Sequence, residues 1–396
     1  MSRGVWIRGR VLAELRDLAG LSQEDLAFAC THREGCKVTR EEISAYEREH
    51  QRPTRTKLNA IIAVVKVSEE DKRKLIVTLT LDALDTRLGY TLQHPASVDL
   101  IAVAGLREQV HGLGVRYDRA PSTSLLAEAG LCLGQVAFLR AHASRGDVRR
   151  ELYAVEAEGA TLMGQLVWDA SHRRDHATAR IYFDQAIGAG QQLRDPTAEG
   201  LALLRKSFVA LYGEKDPKAG LSLAMQTAEI ANGTSHVLTG LAVAHAAEAH
   251  AMLRQRRPCE QALSLADSHF DQIGTADPAM DVFSPAQHGR LAGSCYLFLG
   301  DAKRAQRILE AAVQELRDRS KSQAIVLGNL TLSCIRQGKL DEAAVMLHKA
   351  IDVVELTRGG GGFNIIFGAG RELRSWLHIA SVRDAHDRLL GLMAAA

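Results

Sequence analysis

Cys30, His32 and Cys36 form the one cluster of soft donors in a sequence of 396 residues. A structural zinc site needs a further pair at finger spacing, and none follows. The six cysteines are otherwise scattered, as expected of buried thiols in a reducing compartment. Fifteen histidines form no His-Glu-x-x-His pair, and there is no Gly-x-Ser-x-Gly nucleophile turn. Four glycines at 359–362, with Gly368 and Gly370 beyond, lack the preceding strand and the Lys-Ser/Thr of a phosphate loop. They read as a hinge before a last helix at 372–393. Nothing here assembles a catalytic centre, and the expectation is a protein that is not an enzyme and carries no cofactor or metal.

The spacing that carries most information is a pair of fully signalled helix starts close together near the N-terminus. Thr39 is an N-cap with Glu42 three residues on, and Val38 and Ile43 occupy the flanking apolar positions. The same device precedes it, with Ser22 and Asp25 as cap and return, and Leu21 and Leu26 as staple. Val11, Leu15 and Leu18 make an apolar stripe before Gly20. Leu58, Ile61, Ile62 and Val65 make another after Pro53, and Ser68-Glu69-Glu70-Asp71 opens a fifth helix.

The strings LRDLAGLSQEDLA and VTREEISAYEREHQRP resemble the phage-repressor-like (XRE-type) helix-turn-helix family over about 65 residues. Gln23, Ile43, Ser44, Glu47, Arg48 and Pro53 all fall in the family's register. The resemblance implies that Gln23 holds a phosphate or edge base. It also implies that Thr39, Arg40, Glu41 and Ala45 face the major groove, with Arg48 and Arg52 on the backbone. The register departs between the two helices, where the seven residues from Thr31 to Lys37 replace a short glycine turn. It places Cys30 at a core leucine position, and leaves Arg33 and Lys37 near the phosphates.

Beyond a linker around Gly89 and His94-Pro95, the pattern is amphipathic helix broken by Asp195-Pro196, Asp216-Pro217, Arg257-Pro258 and Ser284-Pro285. Apolar triplets recur at Ala179/Phe183/Ala186, Leu221/Met225/Ala228, Ala262/Ala266/His269, Ala305/Leu309/Ala312 and Ala343/Leu347/Ala350. Their first members lie 42, 41, 43 and 38 residues apart. Two-helix units of that length stack into a solenoid. The string NLTLSCIRQGKLDEAAVMLHKAI resembles a tetratricopeptide repeat, and the whole resembles regulators that fuse an XRE-type domain to degenerate repeats. In related peptide sensors the concave face binds a signal peptide. That implies an effector site of Gln165, Lys206, Glu248, Arg290, Asn329 and Arg336, the Asn329 amide pairing with ligand backbone and Arg336 with a carboxylate.

The expected fold is therefore all-α: a helix-turn-helix domain at 1–80, a linker and connecting helix at 81–122, and a tetratricopeptide-like α-solenoid at 123–396. The net charge of +2 divides into +3 over residues 1–66 and −1 over the rest, a bias that permits DNA binding. No apolar run reaches membrane-span length, and the first ten residues lack a signal-peptide core. The expectation is thus a cytoplasmic homodimer that binds double-stranded DNA, with no membrane partner and a peptide or small-molecule effector. An interaction scaffold with secondary DNA contact is the rival reading. A repressor whose array only builds the oligomer is a third.

Overall fold

The computed structural model describes residues 9–33, 36–48, 50–65, 81–316 and 320–394. Their regular structure is entirely helical, and the chain divides into two compact units, Met1–Leu84 and Asp85–Ala396. Among the described residues no helix is long and apolar enough to cross a membrane.

The first unit contains α1 (Gly9–Leu18), α2 (Gln23–Arg33), α3 (Arg40–Glu47) and α4 (Arg55–Val65). Both expected capping boxes are present. The Ser22 N–H donates to the Asp25 carboxylate at 3.0 Å and the Asp25 N–H to Ser22 Oγ at 3.0 Å. Thr39 and Glu42 make the same exchange at 3.1 and 3.2 Å. Leu12, Leu26, Cys30, Val38, Ile43, Tyr46, Leu58 and Ile61 fill the core. The expected helix at Ser68 lies outside the described residues.

The second unit holds most of α5 (Leu81–Gln93), followed by α6 (Leu100–Tyr117) and α7 (Leu126–His142). Six antiparallel pairs follow: α8 (Gly146–Ala170) with α9 (His176–Leu193), α10 (Pro196–Phe208) with α11 (Pro217–Ala231), and α12 (His236–Met252) with α13 (Arg256–Phe270). The last three are α14 (Pro285–Phe298) with α15 (Ala302–Glu315), α16 (Lys321–Arg336) with α17 (Leu340–Thr357), and α18 (Gly360–Leu373) with α19 (Ala380–Ala394). The first helix of each pair packs on its own second helix and on the first helix of the next pair, the stacking of a tetratricopeptide-like solenoid. Asp99, Asp175, Asp195, Asp216 and Asp301 cap helix starts through their carboxylates, and Pro196 and Pro217 sit where an N–H would have no helical partner.

The structure differs from the sequence reading in three places. Leu88 and Val98, in the stretch read as linker, are buried in the core that α6, α7 and α8 share. The triplets of α11 and α13 match the buried face only in part: Ala228 and Ala266 are buried as expected, but Met225 is 51% exposed beside buried Ala224 and Thr227, and Cys259 and Leu263 are buried in place of Ala262 and His269. Alanine-rich helices give a weak stripe, and a slip of one residue turns the face by about 100°. The four glycines are the buried start of α18, and no hinge.

Those glycines matter because the array coils back on itself. Gly360 donates its N–H to Asp169 Oδ1 at 2.8 Å across 191 residues of sequence. A Cβ on Gly360 would stand 2.7 Å from the Asp169 carbonyl oxygen, and one on Gly361 would stand 2.4 Å from the Arg173 guanidinium. Only glycine lets α18 come this close. Beside it, Lys321 Nζ lies 2.9 Å from Asp169 Oδ2 and 2.7 Å from Ser122 Oγ, and the Lys321 N–H donates to the Asp118 carbonyl at 2.8 Å.

Candidate DNA interface and the interior of the helical array

α3 is held rigidly at one end and left open at the other. Glu47, at its C-terminus, accepts from Arg16 Nε and from Gln23 Nε2, both at 2.6 Å. Arg16 also donates to the Leu21 carbonyl at 2.9 Å, so one carboxylate joins α1, the start of α2 and the end of α3. On the other flank Lys57 Nζ of α4 meets Glu42 at 2.6 Å. The lengthened turn is bridged by Thr31, whose hydroxyl accepts from the Val38 N–H at 3.3 Å and contacts the Ala27 carbonyl at 3.0 Å. The α2 helix runs through Thr31 to Arg33, so the extra residues partly lengthen a helix instead of loosening a loop.

Of the residues expected at DNA, Thr39, Arg40, Glu41 and Arg48 are exposed, and Gln23, Ala45 and Arg52 are half-buried. Thr39, Arg40 and Glu41 all lie at the N-terminal end of α3. Arg40 has neither a hydrogen bond nor an ion pair among the described residues. The Glu41 carboxyl is held below its usual range by its own backbone N–H and by Thr39. Arg48 folds back on Ser44, donating from Nε to the carbonyl at 3.2 Å and from a terminal nitrogen to Oγ at 2.9 Å. Lys37 is exposed in the turn, while the Arg33 side chain lies outside the described residues. Cys30 is fully buried at the position expected for a core leucine.

The six residues expected on the inner face of the array have different surroundings. Glu248 is 2% exposed and already engaged: it accepts from Tyr212 Oη and, at 2.5 Å, from Ser294 Oγ, with His245 Nδ1 3.6 Å away. A π-helical turn, Val209–Glu214, puts Tyr212 there, the kind of insertion often found at functional sites. Lys206 pairs with Asp184 of α9, and Arg336 donates to the Leu297 carbonyl at 2.9 Å and to Glu372 at 3.2 Å. Those three are occupied by the fold itself. Asn329, 7% exposed, and half-buried Gln165 and Arg290 have no side-chain hydrogen bond among the described residues.

Sequence periodicity did not single out Arg173 or Arg205. Arg173 leaves α8 through a left-handed turn, with φ of 51° at His172 and 61° at Arg173, and lies 4.6 Å over the Trp168 ring. Left-handed backbone costs a non-glycine residue roughly 1–2 kcal/mol, so the turn is held by its surroundings. Arg205 lies 5.3 Å over Phe208. Burial, then the charges of Arg290 and Arg173, pull its pKa below the usual value. Sequence spacing chose Lys206, one position and about 100° away.

Residues 12–72 match the family described as helix-turn-helix. No curated protein matches the chain. Among solved structures the chain is similar to the crystal structure of Bacillus thuringiensis PlcR in complex with the peptide PapR7 and DNA. That match has 15% identity and a TM-score of 0.32, and covers 66% of this chain and 94% of that one. The N-terminal unit is thus a helix-turn-helix domain of the XRE type, the kind that binds DNA in transcriptional regulators.

Proposed function

We propose that the protein is a sequence-specific transcriptional regulator that binds a two-fold DNA site as a homodimer and responds to a ligand held by its helical array. The observation that carries the DNA reading is the state of α3. Its C-terminal end is clamped by Glu47, while Thr39, Arg40 and Glu41 stand exposed at its N-terminal end, the end that approaches base edges in helix-turn-helix complexes. In this reading Arg40 and Glu41 read bases, with Thr39 and Ala45 against the groove floor. Gln23, Arg48 and Arg52 hold phosphates. A single small domain covers little DNA, so pairing two of them on half-sites about 10 base pairs apart, or a multiple, raises affinity. The domain scheme of 1–80, 81–122 and 123–396 belongs to the same proposal, with the middle segment serving as the first layer of the array.

Selection from random-sequence duplexes, followed by gel shifts across a salt series, tests this reading. Enrichment of one two-fold motif, with an affinity at least about a thousandfold above bulk DNA, is the expected result. Recovery of no motif would favour a protein-docking scaffold and sink the regulator.

A further inference from the structure

We infer that the interior of the helical array is a receptor for an organic oxyanion, with Arg173, Arg205 and Arg290 as its cationic wall. This assignment rests on the reading of the array as a ligand sensor and names the class of ligand. The three guanidiniums come from three different helix pairs, and contacts tie two of them to one cluster: Phe208, under Arg205, stacks on His245 at 4.3 Å, Tyr212 donates to Glu248, and Ser294, one turn beyond Arg290, donates to the same carboxylate. The charges of Arg290 and Arg173 are also felt at Arg205. None of the three has an ion pair or a side-chain hydrogen bond among the described residues. The nearby carboxylates are hydrogen-bonded to other groups: Asp169 serves Lys321, Ser122 and the Gly360 N–H, and Glu248 serves Tyr212 and Ser294, with Arg290 acting on it only through its charge.

Three buried donors are left without an acceptor: Arg173 Nε, Arg205 Nε and Trp168 Nε1. A buried N–H with no acceptor is destabilising, and like charges gathered away from bulk water more so. An oxyanion between the guanidiniums would relieve both at once, since a planar fork of donors fits carboxylate or phosphate oxygens in pairs. The aromatic rings of Trp168 and Phe208 lie under two of these guanidiniums. They hold the guanidiniums flat and give the carbon frame of an organic ligand an apolar floor. Lys321, paired with Asp169, adds no free charge.

The test uses the full chain with three probes, namely inorganic phosphate, citrate and succinate, read by calorimetric titration and melting temperature against sodium chloride of equal ionic strength. At a probe concentration about a hundredfold above its Kd, the wild type should melt a few degrees higher. Phosphate and the carboxylates compared side by side identify which oxyanion fits. Arg205→Met keeps the packing over Phe208 and removes one of three repelling charges. It should raise the melting temperature of the unliganded protein and weaken the probe by more than about tenfold. Arg290→Met, a second variant on another helix, should weaken the probe likewise. The site is refuted if no probe shifts the wild type beyond the chloride control, or if both variants bind as tightly as the wild type. It is also refuted if both variants melt lower when unliganded, which would make the arginines structural. Motif selection on DNA is independent of these readouts, so an absent operator would sink the regulator reading and leave the oxyanion site standing.

Discussion

Lys321 and Asp169 form an ion pair 2.9 Å long between the start of α16 and the end of α8, and both side chains are almost wholly buried. Ser122 joins the pair from one side and the Gly360 N–H from the other. Removing one member strands the other away from water. Lys321→Met or Asp169→Asn alone should therefore cost about 3–5 kcal/mol. The double variant should lose clearly less than the sum, because the stranded charge is then gone. Urea denaturation of all four proteins gives the coupling energy. A coupling near zero would mean that the pair is not formed.

Glu47 holds α3 by way of Arg16 and Gln23. Replacing it with Ala removes three charge-assisted hydrogen bonds, two from Arg16 and one from Gln23, and leaves Arg16 half-buried without its main acceptor. About 2–3 kcal/mol of local stability should go, visible as faster amide exchange in α1 to α3. DNA affinity should fall while the selected motif stays the same, since Glu47 positions the reading helix and touches no base. A changed motif would contradict that role.

Arg40 and Arg48 should separate in DNA binding. Arg40→Ala should relax preference at one base pair of each half-site, at about 1–3 kcal/mol. Arg48→Ala should weaken all sequences alike and lower the salt slope by about one unit. If the two variants have the same effect, the division into base and phosphate contacts is wrong.

Acid should weaken the array through His245. Burial holds its pKa below 6.5, against the pull of Glu248 beside it. Below about pH 6.5 the unfolded chain takes up the proton first. The stability contribution is complete above that pH and declines as pH falls toward the lower folded value. His269, depressed first by burial and then by His236, acts in the same direction. His245→Gln, which can still reach Tyr212, should flatten the fall in melting temperature between pH 7 and 5. An unchanged slope would assign the acid sensitivity elsewhere.

Local signals were the legible ones. Caps and staples are set by residues within four positions of each other, and Ser22 and Thr39 act as the sequence implies; Asp195-Pro196 and Asp216-Pro217, read as breaks between helices, also cap the helices that follow. The candidate DNA face follows from the same short-range logic. The interior of the array does not, because it depends on how far the superhelix turns. Nothing near Gly360 announces that Asp169 lies against it, and nothing near Arg173 announces Arg205. Spacing of about 40 residues named Lys206, whose amine the fold pairs with Asp184, because alanine on several faces leaves helical phase loosely determined.

The contact of α18 with the end of α8 also decides how the array can change over evolutionary time. An open solenoid is stabilised by neighbours alone, so whole repeats can be lost or duplicated and segments can melt one after another. Here the pair at Lys321 and the glycine seam at Gly360 also bring α16 and α18, late in the array, against the end of α8, early in it. Deleting any one helix pair would carry Gly360 away from Asp169. The number of repeats between α8 and α18 is thereby constrained by geometry, and that closed stretch should unfold in one step instead of melting pair by pair.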